Sequence, residues 1–336
     1  MKKYTLFITL FIFLNSCQSS KKQEEIIELF DGKTLNIELG LPTSASLYSN
    51  YLFVNDFYGD SGLVKIIDIQ KEEIINSFAV KGEGPNEFLT VANIDYAPSL
   101  SQNFYVFDQA ANKLKVFNFD SLVYNKQKNP QAVININENL RFYEVAKSKQ
   151  GFIATGIIEN KKFALLNDSM HVRKWAGSYC SKPSKSIPDI THAMANYGKF
   201  YITDDRKWLV NIIYAAGIIT CYQINENGDL SLVWEKILNE MNYKLEGSSY
   251  RNLGTMGYLS VSFTKKHIYA LYSGQEENND EIATYGKEIH VFDYEGHIIK
   301  KYLLDTPALN ICVTENDKYI YSIVHKPESG IIQYEL

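Results

Sequence analysis

Residues 81–120 read KGEGPNEFLTVANIDYAPSLSQNFYVFDQAANKLKVFNFD. It begins with a Gly-Pro loop, continues through an apolar alternating strand and a polar turn, and then contains two strand-like runs, NFYVFD and KLKVFNF. Aromatic and β-branched residues dominate these runs, and such residues favour strands. With one more strand before Asn137, the stretch predicts a four-stranded antiparallel sheet.

The same order of parts recurs six times along the chain. The repeats cover residues 44–80, 91–137, 142–177, 199–238, 258–304 and 308–336. Repeats of this kind are typical of a radial array of blades. Helical periodicity is confined to a short stretch near residues 191–196, which argues against an α/β domain, and the four-part period argues against a β-sandwich. The predicted fold class is therefore all-β, a six-bladed β-propeller of four-stranded antiparallel blades.

The sixth repeat contains only three strands. The segment Ile26–Leu39, IIELFDGKTLNIEL, is strand-like and belongs to no repeat. We expect this N-terminal segment to supply the outer strand of the last blade, which closes the ring and covers an exposed sheet edge.

The N-terminal residues have the order of a signal peptide. Two lysines precede an apolar run over residues 4–14, which is too short to span a bilayer as a helix. The quartet LNSC at residues 14–17 resembles a bacterial lipobox, although Asn15 departs from the commonest pattern. The resemblance implies a signal peptide over residues 1–16 and lipidation of Cys17.

Residues 17–25 are polar and predict a flexible tether, so that the propeller occupies residues 26–336. The residue after Cys17 is Gln18, not Asp. By resemblance to the sorting rule of Gram-negative lipoproteins, this favours the outer membrane of the cell envelope. The side of the membrane and the oligomeric state stay open.

Charge and cysteine usage set aside two classes of function. The formal net charge is −5 and no basic block is present, which argues against nucleic-acid binding. Apart from Cys17, the chain has Cys180, Cys221 and Cys312, an odd number. We expect buried free thiols and assign them no redox role.

The central stretch resembles a known repeat. GEGPNEF, followed by FYVFD and AANKLKVFNFD, is similar to the NHL-type repeat, although Asn86 stands where that motif commonly has Gly. With its lipobox, the chain resembles the six-bladed TolB-like propeller lipoproteins of Bacteroidetes. The resemblance implies the fold and an envelope location, and it assigns no chemistry.

The Gly-Pro loop itself has the composition of a structural motif. Gly82 and Gly84 can adopt positive φ, Pro85 fixes its own φ, and Phe88 can fill the space between neighbouring blades. Three aspartates at strand ends are expected to accept backbone N–H bonds in the turns that follow them: Asp56, Asp108 and Asp293.

Three long insertions are expected on one face of the ring, at residues 179–199, 239–257 and 273–287. Long loops on a rigid β scaffold commonly bind ligands. Tyrosines, histidine and arginine in these loops can bind sugars or peptides by stacking and hydrogen bonding. The candidate ligand-binding residues are His192, Tyr197, Tyr243, Tyr250, Arg251 and Tyr285.

No catalytic residue is assigned, because the chain contains neither a G-x-S-x-G elbow nor a histidine pair at zinc-ligand spacing. Six-bladed lactonases hold Ca²⁺ in a central channel, and the corresponding candidates here are Asn55, Asn93, Asp108 and Asp204. The acidic run at residues 276–281 is a further possible Ca²⁺ site, with a solvated loop as the alternative.

The sequence favours a lipid-anchored, non-catalytic binding or scaffolding module that holds a protein, peptide or glycan on its long-loop face, without a cofactor. The alternative is a Ca²⁺-dependent lactonase- or esterase-like hydrolase. A third hypothesis, carbohydrate binding in a glycan-uptake system, is compatible with the tyrosine-rich loops.

Overall fold

Each repeat folds into one antiparallel sheet, and the six sheets surround a common axis in the computed structural model, which describes residues 26–59, 61–136, 140–158, 160–276 and 284–336. The predicted signal peptide, the predicted lipidation residue Cys17 and the predicted tether lie outside the described residues. In the described part of the chain, no helix is long and apolar enough to cross a membrane.

The N-terminal strands and the first three blades run in chain order. The segment before the ring forms β1 (Ile26–Leu29) and β2 (Lys33–Thr34). The first blade contains β3 to β6 (Pro42–Tyr48, Tyr51–Asp56, Val64–Asp68 and Glu73–Phe78). The second contains β7 to β10 (Asn93–Tyr96, Asn103–Asp108, Lys113–Asn118 and Ala132–Asn135), with the helix α1 (Phe119–Val123) before its last strand. The third contains β11 to β14 (Glu144–Ser148, Gly151–Thr155, Phe163–Leu166 and Val172–Ala176).

The last three blades carry the long insertions. The helix α2 (Asp189–Ala195) precedes the fourth blade, which contains β15 to β18 (Gly198–Ile202, Trp208–Ile213, Ile218–Ile224 and Leu230–Ile237). A hairpin of β19 and β20 (Tyr243–Glu246 and Ser249–Asn252) follows. The fifth blade contains β21 to β24 (Tyr258–Phe263, Ile268–Tyr272, Gly286–Phe292 and Ile298–Ala308). The sixth contains β25 to β27 (Asn310–Val313, Tyr319–Val324 and Gly330–Glu335).

The N-terminal segment closes the ring, as predicted, but it serves two blades. β2 pairs antiparallel with β27 and gives the sixth blade its fourth strand. β1 pairs parallel with β24 and adds a fifth strand to the fifth blade, which the sequence analysis did not foresee. The segment turns between these strands at residues 30–32, where Asp31 has a φ of 55° and Gly32 packs against Ile332 and Tyr334. The first strands therefore tie the last two blades together.

Six apolar clusters hold the ring together, and each lies between two neighbouring blades. The strand NFYVFD shows why. Phe104 and Val106 pack toward the first blade, whereas Tyr105 and Phe107 pack toward the third. Since successive side chains of a strand point to opposite faces, a blade buried on both faces needs a nearly continuous apolar run. The six clusters confirm the predicted number of blades.

Phe88 of the Gly-Pro loop is fully buried between the first two blades, as predicted. The two glycines act differently from the expectation, because neither adopts a positive φ. Instead, the Glu87 side chain folds back over them and accepts a hydrogen bond of 2.8 Å from the Gly84 N–H. A Cβ on Gly82 would lie 2.0 Å from Glu87 Oε2. Glycine at position 82 therefore leaves room for the Glu87 carboxylate and does not serve a left-handed backbone.

The strand-end aspartates are structural. Asp108 is fully buried, accepts hydrogen bonds of 3.1 Å from the N–H groups of Leu89 and Thr90, and pairs with Lys115 at 3.4 Å. Asp56 makes the same kinds of contact in the first blade, with the N–H groups of Gly40 and Leu41 and with Lys65. Both therefore fasten the segment that leads into their own blade, upstream of the predicted turn. Asp108 also accepts a hydrogen bond of 3.3 Å from the Ala111 N–H in the turn that follows it, as predicted. Asp293 does accept N–H bonds in its following turn, from Glu295 and His297.

The three described cysteines are free thiols. Cys221 and Cys312 are buried between strands, as expected, and Cys180 is half-buried in the first insertion. The helical stretch predicted near residues 191–196 is the C-terminal part of α2, whereas α1 was not predicted.

Candidate functional site

The inner strands of the six blades, β3, β7, β11, β15, β21 and β25, surround a central cavity of about 550 Å³. Neighbouring inner strands are aligned in parallel. Asp95 accepts a hydrogen bond from the Lys147 N–H, and two residues earlier Asn93 bonds the backbone of Val145. All inner strands thus run the same way along the axis, and every blade contributes to the wall of the cavity.

The common direction defines two faces of the ring. Inner strands begin at the face that carries the three long insertions, here called the insertion face. The inner strands end at the opposite face, which is here called the turn face. The turn over residues 203–207, which joins the first two strands of the fourth blade, lies on this face.

Neighbouring insertions contact each other on the insertion face. Nδ1 of His192, in the first insertion, lies 2.6 Å from the Tyr243 hydroxyl in the second. A β-bridge joins Thr255 of the second insertion to Glu276 of the third. The insertions therefore share one face, as the sequence analysis expected, and they support one another.

Four of the predicted ligand-binding residues come together at the contact between the first two insertions. His192 and Tyr243 are buried and stack with ring centroids 6.2 Å apart. Tyr250 packs edge-on against Tyr243, with ring centroids 5.7 Å apart, and the next residue, Arg251, is exposed. The first two side chains are occupied in holding the loops together, so the surface that this group offers to a partner consists of Tyr250 and Arg251.

The other two predicted ligand-binding residues lie elsewhere. Tyr197 packs edge-on between Tyr143 and Tyr214, with ring centroids 5.0 and 5.6 Å away. The Tyr285 hydroxyl lies 2.9 Å from Nδ1 of His325, which belongs to the sixth blade. The six predicted residues therefore form three separate groups.

Cys180 and His192 line a smaller cavity of about 210 Å³, and Asn196 lies beside them. These residue types also build cysteine hydrolases. Here, however, Nε2 of His192 contacts the carbonyl oxygen of Cys180 at 2.8 Å, and Nδ1 contacts the hydroxyl of Tyr243. Burial raises the pKa of the Cys180 thiol. Because both ring nitrogens are occupied and the thiol stays protonated, this cluster lacks an activated nucleophile.

The four metal-ligand candidates do not form one group. Asn55 and Asn93 line the cavity, but their amides bond the backbone, Asn55 the Val91 carbonyl and Asn93 both polar groups of Val145. Asp204 lines the cavity near the turn face. The fourth candidate, Asp108, is fastened to backbone N–H groups and Lys115 away from the cavity wall.

Among the described residues, one group of three metal-ligating side chains converges: Asp293, Glu295 and His297. It occupies a short turn that leads into β24, and Nδ1 of His297 lies 2.9 Å from the Asp293 carboxylate. These contacts are explained by the turn itself. Of the acidic run at residues 276–281, only Glu276 is described.

The insertion-face end of the cavity contains a buried acid. Glu144, the first residue of β11, is 5% exposed, and its Oε2 accepts a hydrogen bond of 3.0 Å from the Phe200 N–H. In the described part of the chain, no hydrogen bond reaches its other oxygen. Burial raises the pKa of Glu144 to about 7, against the opposing influence of Lys199 and of the Phe200 bond. This carboxyl group changes its charge near neutral pH.

The turn-face end is crossed by the turn that joins β15 to β16. The buried guanidinium of Arg206 in this turn pairs with Asp95 at 2.8 Å and donates to the Tyr96 carbonyl. The Ser99 hydroxyl donates to the carbonyl oxygen of Asp204 at 2.6 Å. The turn of the fourth blade is therefore fastened to the second blade, past the third, and narrows this end of the cavity.

Asp204 lies at this narrowed end beside aromatic rings. The surrounding protein removes water from its carboxylate and raises its pKa to about 6, while Arg206 opposes the change. Trp208 and Tyr294 pack with ring centroids 5.3 Å apart, and both line the cavity. The cavity is thus amphipathic, with an acid near each end and aromatic walls.

Glu144, Lys199 and Arg206 were not predicted from the sequence. A usable signal existed for the first, because several inner strands begin with a polar residue, as at Asn93, Glu144 and Asn310. Such residues bond the backbone of the next inner strand, whose edge faces the cavity and lacks a strand partner. Arg206 had no signal in the sequence, since its partners are distant in the chain.

Comparison with known proteins supports the fold. The profile of the TolB-like 6-blade propeller-like family matches residues 20–316. A putative exported protein from Bacteroides fragilis is similar with a TM-score of 0.55 and 9% identity, over 92% of this chain and 98% of that one. A member of the duf4221 family from Bacteroides vulgatus has a TM-score of 0.52 and 12% identity, over 92% and 94%.

A further solved structure is similar in fold. The β-propeller domain of Cps50 (Swd1) from a Myceliophthora thermophila structure has a TM-score of 0.51 and 10% identity, over 91% of this chain and all of that one. No protein of curated function matches this chain. At these identities the structural likeness shows the fold alone.

Proposed function

Because the chain belongs to the TolB-like 6-blade propeller-like family, we propose that it is a non-catalytic binding protein of the cell envelope that takes a small ligand into its central cavity. The observation that carries this proposal is the cavity itself, about 550 Å³ with walls from all six blades. Ligand sites commonly have volumes of about 300–1,000 Å³, apolar walls and a few polar groups.

The chemistry of the wall supports binding over catalysis. No histidine of the described chain lines the cavity. Its one cysteine, Cys312, has a pKa raised by burial to about 12. Glu144 and Asp204 belong to opposite ends of their inner strands, so they do not flank a common bond as a catalytic acid pair does. The insertion face, with Tyr250 and Arg251, remains available for a protein, peptide or glycan partner.

An envelope location fits the family and its neighbours. The TolB-like fold and a neighbour described as an exported protein hint at the envelope or periplasm. Lipid anchoring at Cys17 is part of our proposal. β1 is parallel to β24, which starts at the turn face, so Ile26 lies at the turn-face end of its strand. An anchored propeller would then direct its insertion face away from the membrane. Replacement Cys17→Ser should move the protein from the membrane fraction to the soluble fraction.

A screen of small ligands tests the central proposal. Purified residues 26–336 would be melted with a library of amino acids, amines, organic acids and sugars, in parallel with the variant Ser44→Trp. Ser44 lines the cavity at the insertion-face end, and an indole there fills part of it. We expect at least one compound to stabilise the parent protein and to lose its effect in the variant, with circular dichroism confirming that the variant folds. If no compound acts, or if compounds act equally on both proteins, the cavity is not the binding site.

The same experiment separates the hydrolase alternative. Addition of Ca²⁺ to the metal-free protein would raise the melting temperature if Asp204 and neighbouring side chains held the ion, and lactone hydrolysis would then depend on Ca²⁺. We expect neither effect.

A further inference from the structure

We propose that the cavity recognises a small zwitterion of the amino-acid type, whose ammonium group contacts Glu144 and whose carboxylate contacts Lys199. The proposal rests on the proposed function, since it names the class of ligand for the same cavity. It comes from the charged groups that remain once the ion pairs of the wall have been assigned.

Most charges of the cavity wall neutralise one another. Asp95 of the cavity wall pairs with Arg206, which lies just behind the wall, at 2.8 Å. At the turn face, Lys207 pairs with Asp205 at 3.2 Å, and Lys265 pairs with Glu315 at 2.7 Å. In the described chain, the wall groups without an ion pair are Glu144, Lys199 and Asp204.

Two of these groups lie at the same end of the cavity. Lys199 directly precedes Phe200, whose N–H bonds Glu144, and its positive charge acts on that carboxyl group. No ion pair joins Glu144 and Lys199 to each other in the described chain. Because the carboxylate and the ammonium group face one cavity and do not pair with each other, both can pair with a ligand. Such a ligand would carry an ammonium group toward the acid and a carboxylate toward the lysine.

The surroundings of Glu144 point to a ligand as well. The carboxylate oxygen that accepts no hydrogen bond from the described chain remains accessible at the cavity wall, so a ligand there can bond it. The charge of Glu144 acts on three tyrosines, Tyr197, Tyr201 and Tyr214, and of these Tyr201 lines the cavity. A tyrosine ring stabilises an ammonium group electrostatically, and Tyr201 offers an apolar surface to the remainder of the ligand.

Binding should depend on pH in a defined direction. An ammonium group interacts most strongly with ionised Glu144, and burial holds the pKa of that residue near 7. With such a pKa, about 1% of the carboxyl groups are ionised at pH 5 and about 90% at pH 8. Affinity for a zwitterion should therefore rise on the order of 50- to 100-fold over this range, with release of a proton on binding.

The test uses three probes of one shape: L-phenylalanine, phenethylamine, which lacks the carboxylate, and 3-phenylpropionate, which lacks the ammonium group. A parallel set of L-leucine, 3-methylbutylamine, which lacks the carboxylate, and 4-methylpentanoate, which lacks the ammonium group, tests an aliphatic side chain. Isothermal titration at pH 8 should show the amino acid of at least one set binding at least tenfold more tightly than its single-charge analogues. The same titration at pH 5 should be weaker.

Two variants assign the charges. Glu144→Gln should weaken binding of the amino acid and leave the affinity for the carboxylate probe unchanged. Lys199→Met should also weaken binding of the amino acid, and it should leave the affinity for the amine probe unchanged. The matched controls are Glu315→Gln and Lys265→Met at the far end of the cavity, which should change neither.

The outcomes separate this inference from the proposed function. If a neutral or singly charged compound binds as tightly as the amino acids, and Ser44→Trp abolishes its binding, the cavity is the site and the zwitterion assignment is wrong. If an amino acid binds but both Glu144→Gln and Lys199→Met leave its affinity unchanged, the assigned contacts are wrong. If no compound binds the parent protein, both proposals fall.

Discussion

The buried carboxyl group of Glu144 makes the stability of the propeller depend on pH. Its pKa is raised from an ordinary value of 4.5 to about 7, chiefly by burial. The native state therefore holds this proton more tightly than the unfolded chain does. The contribution of the protonated form is complete below pH 4.5, declines as the pH rises, and is lost above about pH 7.

The replacement Glu144→Gln removes this titration and keeps an oxygen to accept the Phe200 N–H bond. At about 1.4 kcal/mol per pKa unit, the difference between 4.5 and about 7 corresponds to about 3 kcal/mol. We expect the variant and the parent to be equally stable at pH 4.5. At pH 8 the variant should be more stable by about 3 kcal/mol, because the parent then contains an ionised carboxylate in a buried site.

Urea unfolding followed by tryptophan fluorescence at pH 4.5, 6, 7 and 8 measures this difference directly. Glu328→Gln, in an exposed loop, serves as the control and should follow the parent at every pH. A stability difference between Glu144→Gln and the parent that does not change with pH would contradict this prediction, since it would mean that Glu144 has the same pKa in the folded and unfolded states.

Three further predictions concern the fold. Phe88→Ala should lower the free energy of unfolding by about 3–5 kcal/mol, because the ring is fully buried between two blades. The control Phe57→Ala, at a side chain that is 48% exposed, should lower it by less than about 1 kcal/mol. Equal losses in urea unfolding would contradict the role of Phe88 in packing the two blades together. Gly82→Ala should lower the free energy of unfolding by about 1 kcal/mol, because the new methyl group displaces the Glu87 carboxylate from the Gly84 N–H. In a Glu87→Ala background the same replacement should be nearly neutral. Additive losses of stability in this double-mutant cycle would exclude the clash between the methyl group and Glu87. Deletion of residues 26–34 exposes the edges of the fifth and sixth blades, so light scattering should show aggregation on heating at a lower temperature than for the parent, and an unchanged onset would argue against a closing role.

The repeat made the ring predictable from the sequence. A blade is buried on both faces, so its strands are apolar throughout and its turns are polar, and this contrast recurs at every blade. The need for a closing strand followed from the three strands of the sixth repeat. The sequence did not show that the N-terminal segment Ile26–Leu39 divides into two strands, β1 and β2. The parallel pairing of β1 with β24 depends on how the fifth and sixth blades lie side by side.

The candidate site was harder to predict. Its residues come from inner strands that are distant in sequence, and Glu144 and Lys199 are neighbours only because the third and fourth blades are adjacent. The long insertions attracted attention through their tyrosines and histidine, yet His192 and Tyr243 hold two loops together. Composition shows which residue types a loop contains. It does not show which side chains have hydrogen-bonding capacity left for a ligand.

A crystal structure of residues 26–336, grown with the probe that stabilises the protein most, would show directly where the ligand binds. We predict electron density for the probe inside the ring, with its ammonium group against Glu144 and its carboxylate against Lys199. A probe bound only on the insertion face, or a metal ion held by converging side chains in the cavity, would contradict it.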